Sequence, residues 1–259
     1  EDPEYSITQT PLNEQDLKTM SEAVEVLRQF KGFSYFTEMS DIINRLEDHV
    51  ASARMKTTPV IDFEKNESLK GLDYLDTIYH AIVNEHPIQL KYRSFKARSA
   101  NSFIFYPYLL KEYRNRWFVY GVRGNGRILQ NLALDRIQSL EVLPQEHYIK
   151  NTFFDPNTFF DDLVGVTKNT GSVAEKVGFK VAAAEAPYII TKPIHRSQQV
   201  VERLADGSVI LEIKVVINHE LERVFFGYAE GIQVLYPKTL VELMGRKLKK
   251  AAEQYTHSK

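Results

Sequence analysis

The sequence predicts an α+β protein with an N-terminal helical segment, a small curled sheet or barrel, and a C-terminal α+β domain. Before residue 50, apolar residues recur at the spacing of amphipathic helices, and residues 88–142 contain several β-rich runs close together. After residue 172 the patterns follow the order β-α-β-β-α-β-α, which is that of a ferredoxin-like sandwich with one added helix. We therefore expect a helical linker or dimerisation segment (1–70), a β-rich domain (71–150), a linker (151–171) and a ferredoxin-like domain (172–259).

The N-terminal segment carries two amphipathic patterns. Asn13 is a suitable N-cap, and apolar residues then recur at spacings of three and four between Leu17 and Leu27 and again between Met39 and Val50. Their apolar stripes are narrow and need a partner, so we expect a bridging or dimerising element and a homodimer. Because Glu1 opens without a start-like segment, we expect the chain to be part of a longer protein.

The β-rich region has one helical pattern before its strands, from Leu72 to Val83. About five strand-like runs follow, and Gly124-Asn125-Gly126 marks a tight hairpin. The expected runs are Ile88–Tyr92, Phe103–Leu110, Arg116–Val122, Ile128–Leu134 and Ile137–Val142. With a single flanking helix, these strands favour a small barrel over a parallel α/β sheet.

The C-terminal region contains two strong local signals. Asp206-Gly207 predicts a hairpin between two strands, and Asn218 predicts the cap of a helix. The expected elements are strands over Val177–Val181, Gln199–Leu204, Ser208–Ile217 and Ile232–Tyr236, and helices over Ala184–Thr191, Asn218–Ala229 and Leu240–Tyr255.

Positive charge is concentrated in one short stretch of an otherwise balanced chain. The 259 residues carry a formal net charge of -1, yet residues 91–136 hold ten Lys/Arg, ten aromatic residues and only two acids, Glu112 and Asp135. Arginines bind phosphates and aromatic faces stack on bases, so this composition is typical of a site for a flat anion. The other interpretation is a sheet whose aromatics form the core and whose basic residues keep it soluble.

For individual residues of this stretch, both the anion-site and the structural interpretation remain open. Period-2 alternation places Trp117 with Val119, which favours core packing. Arg136 can pair with Glu112, and the adjacent Asp135 is expected to point away from it. Lys91, Arg93, Lys96 and Arg98 can form a solvated hairpin.

Catalytic and metal-binding patterns are missing from the sequence. It has no cysteine, no Walker loop and no nucleophile elbow, and its histidines lack zinc spacing. We therefore expect no enzyme activity, no cofactor and no metal site. No apolar run approaches the ~20 residues of a membrane span, and the lack of cysteine fits a reducing cytoplasm.

The segment from Leu72 to Tyr148 resembles the WYL domain, whose Trp-Tyr-Leu triplet appears here as Trp117-Phe118-Val119. The final ~90 residues resemble the C-terminal extension that follows such domains. Further matching positions are the strand ending at Tyr92, Pro107-Tyr108-Leu109, Gly121, Leu134-Asp135-Arg136-Ile137, Phe154-Asp155-Pro156 and Val234-Leu235-Tyr236-Pro237. The sequence departs from the family pattern at Phe118 and at Gln130, where tyrosine and arginine are usual.

The resemblance implies a bacterial transcription regulator. Its WYL domain would be an Sm/SH3-like barrel that binds an anionic effector, either a nucleotide or single-stranded nucleic acid. Duplex DNA would be bound by a helix-turn-helix domain upstream of Glu1. The ligand-binding residues implied by the match are Tyr92, Arg93, Arg98, Tyr108, Arg116, Trp117 and Arg136.

We therefore hypothesise that this chain is the effector-sensing and dimerisation part of such a regulator. A stand-alone single-strand-binding module without regulatory output is the alternative. An enzyme acting on a nucleotide is disfavoured, because the sequence shows no acid/base or metal set.

Overall fold

The computed structural model describes residues 70–124 and 128–256. The helices expected before residue 50, and therefore the expected helical linker, lie outside the described residues. The chain divides into two compact units, the second of which begins at Asn151 and also includes residues 125–131, and each is described by itself. Helices plus two antiparallel sheets give the α+β class that the sequence predicts.

The first unit is one helix followed by five strands. A 3-10 turn, Leu72–Tyr74, leads into helix α1, Leu75–Val83. The strands are β1 (Ile88–Tyr92), β2 (Asn101–Tyr113), β3 (Arg116–Arg123), β4 (Leu129–Ala133) and β5 (Ile137–Val142). The sheet order is β4-β3-β2-β1-β5, and a second 3-10 turn, Leu134–Arg136, joins β4 to β5. This is the SH3-like arrangement, in which one long strand, β2, serves both halves of the sheet.

The sheet bends where β2 meets β3. The pairing register shifts between Pro107 and Leu109, as a β-bulge does, and such irregularities let a strand turn a corner. Gly121 pairs with Pro107 at this point, and a Cβ there would lie 2.1 Å from the carbonyl oxygen of Tyr106. Only glycine permits this close approach of the two backbones. The bend encloses a core that includes Leu75, Leu90 and Phe105.

The second unit has the predicted order of elements. They are β6 (Glu175–Val181), α2 (Ala186–Thr191), β7 (Gln199–Arg203), β8 (Val209–Val215), α3 (His219–Phe226), β9 (Ile232–Tyr236) and α4 (Lys238–Thr256). The antiparallel sheet runs β7-β8-β6-β9, so the first and third strands of the unit lie at its centre. That is the ferredoxin-like strand order, and α4 is the added helix.

Both local signals in this unit are confirmed. Gly207 has φ +82 in the turn between β7 and β8, and the Leu204 amide donates to the Ser208 carbonyl. The Asn218 side chain accepts a hydrogen bond from the Leu221 amide at 2.9 Å and thereby caps α3. Its amide nitrogen donates to the carbonyls of Val164 and Thr167, so the same residue ties down the preceding linker.

Candidate functional site

The 3-10 turn between β4 and β5 is the centre of the candidate site. Leu134 is buried in the core and anchors the turn, while Asp135 and Arg136 follow at its surface. The Arg136 carbonyl accepts a hydrogen bond from the Arg93 amide at 3.1 Å, so the turn is joined to the end of β1. The sheet order, which places β5 beside β1, therefore brings two arginines together that are distant in sequence.

Arg136 is held by an aromatic ring. Its guanidinium carbon lies 4.5 Å from the centroid of the Phe95 ring, within cation–π range. The Phe95 side chain is otherwise open, with 73% of the residue exposed. The Arg136 Nε atom is buried and has no hydrogen-bond partner within the described part of the chain. The guanidinium thus lines the groove over an aromatic face, and its exposed N–H groups, rather than the buried Nε, can donate to an anion there.

Asp135 lies between two guanidinium groups. Its Oδ2 is 3.3 Å from Nε of Arg116, and its Oδ1 is 3.8 Å from Nε of Arg136. The Asp135 side chain is 14% exposed, so the carboxylate is largely shielded from water. Its buried Oδ1 makes no hydrogen bond to any other described residue. The carboxylate thus balances the charge of both arginines, and the Nε of Arg136 keeps no hydrogen-bond partner among the described residues.

An open groove of about 290 Å³ runs along this turn. Its lining residues are Arg93, Ser94, Phe95, Asp135, Arg136, Ile137 and Gln138. The floor is thus charged and aromatic, and a cavity of this size lies at the small end of ligand sites. Such a groove suits a nucleotide-sized portion of a ligand.

Tyr92 interacts with Arg136 but does not itself line the groove. Burial raises the pKa of its hydroxyl, with smaller opposing effects from Arg136 and from a hydrogen bond with the Ala133 backbone. The Tyr92 hydroxyl is therefore a neutral hydrogen-bond partner of Arg136, and it orients the guanidinium without adding charge.

Tyr108, Trp117 and Arg98 are not brought to this groove. The buried Tyr108 ring packs edge-on against Tyr148 at 6.1 Å, and burial, followed by the effect of Tyr106, raises the Tyr108 pKa to about 12. Trp117 packs half-buried against the barrel core, and Arg98 is exposed in the loop after β1. Of the seven expected residues, Arg93 and Arg136 line the groove, whereas Arg116 and Tyr92 lie beside it, in contact with Asp135 and Arg136 respectively.

The structure differs from two expectations about Arg136. Its carboxylate neighbour is Asp135 rather than Glu112, whose Oε1 instead accepts from the Asn115 amide at 2.5 Å. Asp135 and Arg136 do not diverge, because the 3-10 turn keeps both side chains on one side. The sequence predicts Asp135 only as part of a motif and does not predict Phe95 as a site residue, although Phe95 lies among the basic residues Arg93, Lys96 and Arg98.

The two departures from the family pattern lie away from the groove. Phe118 faces Lys111 across the β2–β3 pair and is half-buried. Gln130 is half-buried on β4. Neither residue lines the groove, so the arginine and phenylalanine arrangement does not depend on them.

Metal sites and membrane spans can be assessed within residues 70–124 and 128–256. Those residues contain no group of three or more His, Cys, Asp or Glu side chains placed to hold a metal ion. None of their helices combines the length and the apolarity needed to cross a membrane.

Fold and site define this protein as an SH3-like barrel with a basic, aromatic groove, followed by a ferredoxin-like domain. Residues 73–142 match the WYL domain and residues 174–252 match the WCX domain, together more than half of the chain. The chain thus contains a WYL domain, followed by a WCX domain as its C-terminal extension. Comparison with curated proteins finds no match.

Two solved structures are similar at low sequence identity. Proteasome accessory factor B/C (PafBC) of Arthrobacter aurescens is 16% identical over 90% of this chain, with a TM-score of 0.34. This chain spans only 34% of that one. A structure described as a CRISPR Cas-related protein is 11% identical over 97% of this chain and 89% of its own, with a TM-score of 0.46.

Proposed function

We propose that this chain is the effector-sensing part of a bacterial, cytoplasmic, DNA-binding transcriptional regulator, and that the WYL groove binds a nucleotide or single-stranded nucleic acid. The role is binding rather than catalysis. The observation that carries the proposal is the Arg136 guanidinium, which lies over the Phe95 ring and lines the groove. Duplex DNA would be bound by a separate domain, and the regulator would act as a homodimer.

The groove offers the two contacts that a nucleotide needs. The open face of Phe95 can stack a base, and base–aromatic stacking is tolerant of sequence. Arg93 and Arg136, which line the groove, and Arg116, which pairs with Asp135 beside it, can contact phosphate oxygens, to which guanidinium groups donate in pairs. The surrounding stretch 91–136 carries eight more positive than negative charges, which would draw an anion towards the groove.

A regulatory output is supported by the contact between the groove and the start of the barrel. Gly71 has φ +83, and a Cβ on it would lie 2.4 Å from the carbonyl carbon of Leu134 and 2.6 Å from the Asp135 amide nitrogen. Gly71, at the start of the described barrel, thus packs directly against the turn that carries Asp135 and Arg136. A ligand can regulate only if it binds two arrangements of the protein with different affinities. A ligand that shifts this turn would change the packing at Gly71 and would therefore favour one arrangement over the other.

Direct titration tests the ligand. A fluorescein-labelled oligothymidylate of about ten nucleotides should bind with an anisotropy change, and binding should weaken steeply with salt. The double variant Arg116→Ala, Arg136→Ala should lose at least about tenfold in affinity, because two charge-assisted contacts are removed.

Arg123→Ala is the matched control. Arg123 also stacks on a phenylalanine, with its guanidinium carbon 4.0 Å from the Phe103 ring centroid, but it neither lines the groove nor belongs to the ion pairs of Asp135 with Arg116 and Arg136. This variant loses one positive charge from the same barrel and should keep most of its affinity. Equal losses in the control and the double variant, or no binding of any short single strand or nucleotide by the unmodified protein, would remove the assignment.

A further inference from the structure

The charges around Asp135 indicate that its carboxylate does more than occupy one position of the Leu134-Asp135-Arg136-Ile137 motif. Two guanidinium groups that approach one carboxylate would repel each other without it. The carboxylate therefore occupies, in the free protein, the place between Arg116 and Arg136 that a ligand anion would take. Among the two acids of residues 91–136, only Asp135 is so placed, since Glu112 bonds to the Asn115 amide.

We propose that Asp135 is an internal counter-anion that an incoming ligand must displace from Arg116 and Arg136, so that it sets the affinity and charge selectivity of the groove. This inference rests on the proposed function of the groove as an anion site. The ligand chemistry that follows is a strand or nucleotide with more than one phosphate. One negative charge would only replace the carboxylate, whereas a second can also reach Arg93 on the groove wall.

The shielding of the carboxylate strengthens its effect. Asp135 is 14% exposed and Arg136 is 27% exposed, so water screens their interaction only partly. The buried Oδ1 of Asp135 and the buried Nε of Arg136 are both without hydrogen bonds to described residues. An ion pair that is close but lacks hydrogen bonds is easier for a ligand anion to displace than a bidentate pair, because fewer hydrogen bonds must break.

The test is Asp135→Asn, which keeps the shape and removes the charge. In the oligothymidylate titration its affinity should rise about fivefold, the upper range for a partly exposed ion pair. The slope of log affinity against log salt concentration should steepen by about 0.7, the value for one further phosphate contact on a single strand. Lower or unchanged affinity would overturn the proposal and make Asp135 a support that positions the arginines.

Glu112→Gln separates the local effect from net charge. Like Asp135→Asn, it removes one negative charge from the barrel, but it does so outside the groove. Its affinity should stay near that of the unmodified protein, and an equal rise in both variants would overturn the inference.

Inorganic pyrophosphate, which has no base, provides a second measurement that does not depend on strand binding. It should raise the melting temperature of Asp135→Asn more than that of the unmodified protein or of Glu112→Gln. If this holds while no protein binds the oligonucleotide, the counter-anion role stands and the nucleic-acid ligand is wrong. If pyrophosphate shifts all three proteins equally, the counter-anion role is overturned, whatever the oligonucleotide does.

Discussion

At the residue scale, the groove combines side chains that differ in what they contribute. Arg136 contributes a positive charge, Phe95 contributes an aromatic ring face, and Tyr92 contributes a neutral hydroxyl whose pKa is raised by burial. Phe95 is the least constrained of the three by packing, because 73% of it is exposed. A large exposed aromatic contributes little to folding, so its effect on ligand binding can be measured separately from stability.

Phe95→Ala should weaken oligothymidylate binding about tenfold while leaving the melting temperature nearly unchanged. The reason is the loss of base stacking, which is worth about 1–3 kcal/mol per base. Tyr188→Ala is the control, because Tyr188 is also an exposed aromatic, at 69%, but belongs to the second unit. Unaltered binding by Phe95→Ala would show that the ring only supports Arg136.

At the element scale, the 3-10 turn Leu134–Arg136 depends on contacts from both sides. The Arg93 amide bonds to its last carbonyl, and Gly71 packs against its first peptide. Gly71 must be glycine for two reasons, its φ of +83 and the absence of space for a Cβ. The turn thus contacts Gly71 on one side and lines the groove on the other.

Gly71→Ala should lower the free energy of unfolding by at least about 1–3 kcal/mol and should also weaken oligonucleotide binding. The first effect reflects the left-handed backbone, and the second reflects displacement of the Leu134–Asp135 peptide. Gly171→Ala is the matched control, since Gly171 has φ +80 but no atom within 4 Å of the position that a Cβ would take. Urea unfolding and the binding titration measure the two effects, and equal behaviour of both variants would refute the contact.

At the scale of the whole molecule, each unit has its own hydrophobic core, and their polar anchors differ. In the second unit His195 is 8% exposed and its Nδ1 accepts a hydrogen bond from the Ser197 amide at 3.2 Å. Burial, and then the charge of Arg196, lowers the His195 pKa below its usual 6.5. The histidine therefore folds in its neutral form, with a further backbone hydrogen bond at Asp161 in the linker.

The stability of the protein should consequently fall as the pH decreases through 6.5 towards the lower pKa of folded His195. In that interval the unfolded chain binds more protons than the folded one, so acid favours unfolding, and above it the stability is fully present. His195→Gln should flatten this part of the profile in denaturant titrations at several pH values. His147→Gln, at an exposed histidine, should retain it. A profile unchanged by His195→Gln would contradict the prediction.

Much of the fold follows from patterns that are local in the chain. The hairpin at Asp206-Gly207, the cap at Asn218 and the order of elements in the second unit are predicted from sequence and confirmed. The ends of strands are predicted less well: β2 runs from Asn101 to Tyr113, beyond the apolar run expected to end at Leu110. Its extra residues pair with β3, and such pairing depends on the partner strand rather than on periodicity.

By itself the sequence determined the α+β class, the barrel followed by a ferredoxin-like domain, and the concentration of basic and aromatic residues between 91 and 136. The tertiary structure alone decided which of those residues meet. The β4-β3-β2-β1-β5 order places the end of β1 beside the turn before β5, and this brings Arg93 and Phe95 to Asp135 and Arg136. Side-chain periodicity reports which face a residue occupies, whereas contact between distant segments depends on strand pairing. The groove and its internal carboxylate are consequences of that pairing.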